Sequence, residues 1–522
     1  MCPFLYRYRH VNKSPTFSEP PSTSIDDLND DSLLTIFYLC RPILFDEDEY
    51  GSIEWENWGP RQCWWYKFVQ VCRRWRYLIL GSAGHLGLCL VYAPGAPIAE
   101  MLAHSASVPL MIDFVGGNHD LTTEDEEGIM LALQHRNRLR CIRLEMPVPT
   151  LEKFLAAMDD EFPILEFLEI MPPMEPDSRL ILPSTFQAPQ LRHLILDRLA
   201  SPIGSPLLAS AIAPVTLLLG WIHPPTYPHP NHVLQMLSHL PQLQILQISF
   251  SSPVLDHDFE RELLHMPIIT DVTLPNLHWF SFWGISTYLE ALLARMTTSL
   301  PHTLNIHFFN QLGQSNFSVP HLLQFMKTAE TLEFSSVKFL FHHEEVAAFV
   351  YFHVGTRPGG KMRKFNFEVI CEHLDWQVSS MAQIFNVLSP LFSAVEDLTL
   401  DYKVQNLSSD WRNQADRRRW RELLGSFRNV KTLRVHHGLV EELSRSLRLD
   451  GEPPLEILPD LKELVCPTES IDNGEFTTFI HEREVAGQPV NLIGDALPVG
   501  RTSYKLINST GTFFVDPDPV PP

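Results

Sequence analysis

From Leu139 onward the chain repeats one arrangement of apolar and polar positions, apolar-x-x-apolar-x-apolar, usually after Pro or Phe. It occurs as Leu139/Ile142/Leu144, Leu165/Leu168/Ile170, Leu191/Leu194/Leu196, Leu243/Leu246/Ile248, Leu277/Phe280/Phe282, Val395/Leu398/Leu400, Val430/Leu433/Val435 and Leu461/Leu464/Cys466. Weaker copies lie at Leu217/Leu219, Leu304/Ile306, Leu332/Phe334 and Phe365/Phe367. Alternation at the second and third apolar positions is strand spacing. Helical patterns separate the copies: Thr150 to Met158, Asn231 to Leu240, Thr287 to Met296, Pro320 to Ala329, Met381 to Leu388 and Asp416 to Phe427. One strand and one helix per copy predicts parallel strands joined by right-handed crossovers. No single unit can bury both its faces, so the units must stack.

A different pattern precedes the repeat. Asp30 or Asp31 caps a predicted helix, in which Leu33, Ile36, Phe37 and Cys40 form one apolar face. A second such face comprises Phe68, Val71, Cys72, Trp75 and Leu78, with Arg73, Arg74 and Arg76 turned outward. Gly81 and Gly84 suit its end. The stretch between, near residues 41–60, carries Asp46, Glu47, Asp48, Glu49, Glu54 and Glu56 and reads as a solvated insertion. The expected organisation is a flexible tail over 1–24, a helical domain over 25–90, and a linker with first capping elements over 91–135. A repeat array follows over 136–496, and a Pro-rich tail over 497–522. The expected fold class is α+β, a small all-α block followed by an irregular α/β solenoid with a parallel sheet.

The helical block resembles an F-box. The motifs that carry the resemblance are Ile25-Asp26-Asp27-Leu28-Asn29-Asp30-Asp31-Ser32-Leu33-Leu34-Thr35-Ile36-Phe37 and Val71-Cys72-Arg73-Arg74-Trp75-Arg76-Tyr77-Leu78. Asn29 stands where that family usually has Pro, Asp31 replaces a Glu, and His85-Leu86-Gly87 lacks the family's P-x-L-W. The acidic, Trp-containing insertion is similar to the long inter-helix loops of F-box-like proteins common in mushroom-forming fungi. The residue pattern alone also fits a helical pair that caps the repeat array. The resemblance implies docking onto the small adaptor subunit of an SCF-type cullin–RING ubiquitin ligase, and through it onto a cullin. The candidate adaptor-binding residues are Leu28, Leu33, Ile36, Phe37, Val71 and Trp75, expected to remain exposed once each helix covers the other.

The long block resembles the strand half of leucine-rich repeats. Pro173, Leu199, Ser251, Ile285, Lys403 and Gly438 occupy the Asn or Cys position, which predicts an irregular solenoid. A globular α/β domain with several Leu-rich parallel strands is the competing architecture. Together the two resemblances imply a substrate-receptor subunit with no chemistry of its own, working in protein ubiquitination. The rival is a ligase-independent interaction scaffold with a degenerate F-box. The expected substrate surface is the open strand face, with Glu166, Glu169, Arg192, Ile195, Gln244, Gln247 and Trp279 as candidate contacts, and His193, His278 and Ser281 beside them.

Charge narrows the partners. Forty basic against sixty-two acidic residues leave a net charge of −22, which opposes nucleic acid and anionic membranes as main partners. The expected substrate is a protein, with a weak tilt toward a basic segment. No apolar run is long enough to span a membrane and no signal peptide is evident, so the expected location is cytoplasmic or nuclear. The eight cysteines form no C-x-x-C and read as reduced thiols. No nucleotide, zinc-protease or nucleophile-elbow motif is present, so no catalytic residue, cofactor or metal site is expected. His342-His343 and His436-His437 read as loop histidines. The group His223, His229 and His232 reads as an irregular Pro-rich connection, and Arg417-Arg418-Arg419-Trp420-Arg421 as a solvated helix face.

Overall fold

The structure, a computed structural model, describes residues 25–41, 64–104, 108–115, 121–173, 180–199, 203–211, 213–223, 227–251, 267–309, 318–327, 334–342, 345–353, 362–371, 373–402, 416–448 and 457–495. Both expected tails and nearly all of the acidic insertion, with Trp55 and Trp58, lie outside these residues. The chain divides into two compact units, Met1–Met111 and Ile112–Pro522.

In the first unit, helix α1 (Asp30–Leu39) begins at Asn29, whose side chain accepts a hydrogen bond from Ser32 N at 2.8 Å. Asn29, the residue that departs from the expected Pro, therefore satisfies one of the helix's unpaired amides. Helices α2 (Tyr66–Val69) and α3 (Arg73–Gly81) follow, and Cys72 Sγ accepts from Trp75 N at the start of α3. Leu33, Phe37, Trp65, Val69, Trp75 and Ile79 are buried. The rings of Phe37 and Trp75 meet edge to face at 4.9 Å, an arrangement that adds to the apolar burial. Arg74 ties α3 to the start of α1 through Asp30 (2.8 Å) and the Leu28 carbonyl (2.6 Å). The segment read as a linker with first capping elements follows. It contains β1 (Leu90–Tyr92), α4 (Ile98–His104), β2 (Leu110–Phe114) and α5 (Thr123–Leu133), and the division between the two compact units falls at 111.

The second unit is built on one large, mostly parallel sheet. Its strands are β3 (Leu139–Glu145), β4 (Phe167–Met171), β5 (His193–Asp197), β6 (Thr216–Ile222), β7 (Ile245–Phe250), β9 (Trp279–Gly284) and β11 (Thr303–Phe308). They continue as β12 (Phe334–Phe341), β13 (Glu345–His353), β14 (Met362–Ile370), β15 (Asp397–Tyr402), β16 (Thr432–Val435), β17 (Glu463–Pro467) and β18 (Asn491–Asp495). The order from β3 is β3-β4-β5-β6-β7-β9-β11-β14-β13-β12-β15-β16-β17-β18. β8 (Val272–Leu274) and β10 (Met296–Thr298) form a separate parallel pair. The expectation of uniformly parallel, sequentially ordered strands fails at one place. β13 runs antiparallel to both β12 and β14, and the three strands enter the sheet in reversed order. Short connections permit antiparallel neighbours, whereas a parallel crossover needs about a dozen residues. Only residues 342–344 separate β12 from β13.

The phrases on the described strands β3, β4, β5, β6, β7, β9, β11 and β14 place their second and third apolar residues on one face. Ile142, Leu168, Leu194, Leu217, Leu246, Phe280, Leu304 and Phe365 form one row across consecutive strands, all fully buried. Helices cover this face: α6 (Val148–Ala157), α8 (Pro230–Ser238), α9 (Ser286–Leu293), α10 (Pro320–Lys327), α11 (Leu374–Leu388) and α12 (Arg417–Leu424), with the short α7 (Pro206–Ser210) between α6 and α8. Phe280 meets Phe325 of α10, Phe339 meets Phe385 of α11, and Phe341 meets Trp420 of α12. Neighbouring helices also cap one another. The buried Glu290 carboxylate of α9 accepts hydrogen bonds from His321 N (2.7 Å) and Leu322 N (2.9 Å), at the start of α10. An anionic acceptor there meets both the unpaired amides and the positive end of the helix dipole.

Candidate functional site

Two surfaces are candidates, one in each unit. In the first unit the six predicted adaptor-binding residues separate into two sets. Leu33, Phe37 and Trp75 are buried, and the rings of Phe37 and Trp75 pack on each other and on Phe68, so these three belong to the unit's core and are not left over for a partner. The helices are short, and a large ring on each is needed to close a core between them. Leu28 is half-buried, while Ile36 and Val71 are exposed. Tyr38, Leu39 and Tyr77 add exposed apolar area on α1 and α3 that the sequence reading did not single out. Trp65, in contrast, is buried and donates its indole N–H to the Cys89 carbonyl at 3.2 Å.

In the second unit the candidate surface is the sheet face opposite the helices. Strand register sorts the predicted contacts. Glu169, Ile195, Gln247 and Ser281 lie on one transverse row, with Leu218 between Ile195 and Gln247. Trp279 belongs to a second row with His193, Thr216 and Ile245. Glu166, Arg192 and Gln244 fall one residue ahead of that row, where their backbones bond to neighbouring turns, so they line the strands' leading edge. His278 sits there too. Glu169, Ile195 and Ser281 were expected to be exposed and are not, because side chains from adjacent strands only about 4.8 Å away cover them.

Buried charge concentrates on the first strands. Arg143 Nε lies 2.5 Å from Glu169 Oε2, and its Nη1 lies 3.2 Å from Asp113 Oδ1. Burial pushes both carboxyls above their usual range, against the pull of Arg143. Further along, His193 Nδ1 is 3.0 Å from Thr216 Oγ1, and burial, aided by the Arg192 charge, lowers the imidazole's pKa to about 4. Asp197 pairs with Arg198 at 3.0 Å, yet burial raises its pKa to about 6. Trp221 has a left-handed backbone (φ +50) where the β6–β7 register slips. Such a bulge re-aims a side chain; the Trp221 ring lies 5.4 Å from Trp283 and under the Arg198 guanidinium.

The centre of the face is polar. Trp283 stacks on His307 at 4.4 Å, His307 Nδ1 lies 2.6 Å from Glu368 Oε2, and Asn366 Nδ2 donates to Glu368 Oε1 at 2.7 Å. Sequence reasoning missed these residues, although continuing the strand alternation one step past the third apolar position reaches Ser249, Trp283, His307 and Glu368. Nearer the far end, Lys338 pairs with Asp401 at 2.7 Å.

The other singled-out groups have structural roles. His229 caps α8 by accepting from Asn231 N, which makes the expected loop a helix start. In α12, Trp420, Leu423 and Leu424 point inward, while Arg418 and Arg419 pair with Glu422. His436 lies 4.0 Å from Asp401. Of the thiols, Cys89, Cys141, Cys371 and Cys466 are buried, whereas Cys40 is exposed. Among the described residues no group of three or more His, Cys, Asp or Glu could hold a metal ion, and no helix is long and apolar enough to cross a membrane. Neither a protein-family model nor a curated protein sequence matches the chain.

Proposed function

We propose that the chain is a substrate receptor of an SCF-type cullin–RING ubiquitin ligase, with the first unit docking the adaptor subunit and the second holding a substrate protein. The observation that carries the reading is the helical unit's surface. Around a core closed by Phe37 and Trp75 it leaves Ile36, Tyr38, Leu39, Val71 and Tyr77 exposed. Solvent-facing apolar side chains on α1, on α3 and in the turn before α3 suit a protein partner. The F-box resemblance names that partner. The leucine-rich-repeat resemblance assigns the sheet face opposite the described helices to the substrate. In this reading the receptor breaks and forms no bond; it raises the substrate's effective concentration at the transfer site.

The test is co-purification with the adaptor subunit. Ile36→Asp and Val71→Asp, at exposed positions, should leave the melting temperature within a few degrees and abolish capture. Trp75→Ala should instead unfold the unit, since truncating a buried aromatic costs about 3–5 kcal/mol. Absence of adaptor capture by the unmodified chain would favour the ligase-independent scaffold.

A further inference from the structure

Six neighbouring strands, β5, β6, β7, β9, β11 and β14, begin without a carboxylate. Their entry segments, residues 187–193, 213–216, 240–245, 275–279, 299–303 and 362–364, contain no Asp or Glu in a chain that has sixty-two. They carry Arg192, Arg363 and Lys364, with His193, His278 and His302, instead. Arg192, Val215, Gln244, His278 and His302 form one transverse row, in which each amide after the first donates to the preceding member's carbonyl at 2.7–2.9 Å. Pairing of Thr303 with Lys364 sets Arg363 next in that row. Arg192 and His302 are exposed, and Gln244 and His278 half-buried. The rings of His278 and His302 lie 6.5 Å apart. Among the described residues Arg192 makes no ion pair. On the strand before it, the Glu166 carboxylate is already taken by Arg140 at 2.8 Å. Just inside the row, Ile245 and Trp279 are half-buried on the open face.

We propose that this edge is the docking line of the second unit for an extended, acidic segment of another protein, whose Asp and Glu side chains meet the basic residues in turn. That the occupant is a protein rests on the receptor reading; that it is acidic rests on the edge. The net charge of the chain tilts the expectation toward a basic partner. Salt, however, confines the reach of an exposed charge to about 8–10 Å, so the residues of the row weigh more than distant ones. Neighbouring strands lie about 4.8 Å apart, so Arg192 and Arg363, five strand spacings from each other, are about 24 Å apart. No single side chain covers that distance. An extended segment rises about 3.3 Å per residue, so about seven residues cross the row, with an acid near each end. Gln244 and the imidazoles add hydrogen-bonding groups between the arginines. Trp279 and Ile245 give apolar side chains of the segment a surface to pack on. A nucleic acid fits less well, because it depends on many Lys and Arg contacts and this edge holds three such residues.

The experiment passes the full chain over immobilised peptide pools, random in neutral residues except at two positions about seven residues apart, which hold glutamate, glutamine or lysine. Glutamate pools should retain the chain about fivefold better than glutamine pools at ~0.05 M salt, and the preference should vanish at ~0.5 M. Arg192→Glu combined with Arg363→Glu should turn it into a preference for lysine. Equal retention on glutamate and glutamine, a lysine preference in the parent, or a glutamate preference that survives in the folded double variant overturns the proposal. So does tighter binding of oligothymidylate than of the glutamate pools. Should the double variant fail to fold, Arg192→Gln and His302→Glu decide, because both side chains are exposed. Both must weaken glutamate retention, and an unchanged preference in both overturns the assignment. Adaptor capture is read on the same samples. A parent that captures the adaptor but shows no glutamate preference sinks this inference alone, whereas glutamate preference without capture sinks the receptor reading and leaves the site.

Discussion

Asp197→Asn should change how stability responds to pH without changing the fold. Folded Asp197 holds its proton up to about pH 6, while in the unfolded chain the carboxyl titrates near its ordinary 3.8. Its contribution is therefore full below that window and falls as pH rises through it, by ~3 kcal/mol for a shift of about two units. His193 lies on the same strand and works in the opposite sense. It stays neutral in the fold down to about pH 4, whereas the unfolded imidazole takes a proton near 6.5. Its contribution is full above the window and falls as pH drops, by a similar ~3 kcal/mol. Over the shared window the two slopes nearly cancel. Asn removes only the carboxylate's slope, so the variant should lose stability relative to the parent on acidification from pH 7 to 4, by up to ~3 kcal/mol. At pH 7 the variant gains less than that, because Arg198, 3.0 Å away, loses its ion-pair partner. Urea midpoints followed by tryptophan fluorescence across this range, with the denaturant slope unchanged, give the difference directly. His193→Gln should give the mirror-image curve. Parallel curves for parent and Asp197→Asn would show that the carboxyl titrates alike in both states, and the burial argument would be wrong.

Other perturbations test other parts. Arg143→Met strands the Asp113 and Glu169 carboxyls in a site with no cation, and should cost ~3–5 kcal/mol in urea denaturation, partly recovered by adding Glu169→Gln. A parental midpoint for the single variant would mean the three groups are not coupled. Gly284→Ala places a methyl 2.8 Å from Phe250 Cδ2 and 2.9 Å from Phe282 Cζ, and should cost ~1–3 kcal/mol in the same assay; a neutral result would mean those rings shift freely. Glu290→Ala removes the cap on α10, so amide exchange over residues 320–327 should accelerate and stability should fall by ~1–2 kcal/mol. Unchanged exchange there would show that the carboxylate does not hold the helix start.

Much of the strand framework was legible because its cause is local. In each strong phrase but the first, whose Leu139 opens β3 itself, the first apolar residue closes the turn before the strand, and the next two alternate into the core. Leu165, Leu191 and Leu243 thus precede β4, β5 and β7 by two residues. The helical patterns between phrases fell where helices form, with ends displaced by a few residues except at α11, which starts seven residues before the pattern at Met381. β13 was not legible, since it carries no phrase and its place depends on pairing with strands on both sides. The site was only half legible. Alternation finds the open face, but it cannot tell that Glu169 and Ile195 are covered by neighbours, because that depends on what the adjacent strand presents at the same height. In the first unit the helical period found Ile36 and Phe37 together. Only packing separates them, as Phe37 meets Trp75 while Ile36 faces solvent.

The reversed order of β12, β13 and β14 decides what the centre of the open face contains. Chain order alone would set β12 beside β11 and bring Lys338, which lies on that face, next to the row that ends in His307. The meander sets β14 there instead, so His307 meets Glu368 and Asn305 meets Asn366, from strands more than fifty residues apart in sequence. Lys338 moves to the far side of the insertion, where it pairs with Asp401. A carboxylate rather than a lysine thus stands beside the Trp283–His307 stack, where it pairs with His307 and accepts from Asn366. Only three residues separate β12 from β13, too few for a parallel crossover, so the two strands pair antiparallel. The feature that breaks the regularity of the repeat is therefore the one that brings His307, Glu368 and Asn366 together at the centre of that face.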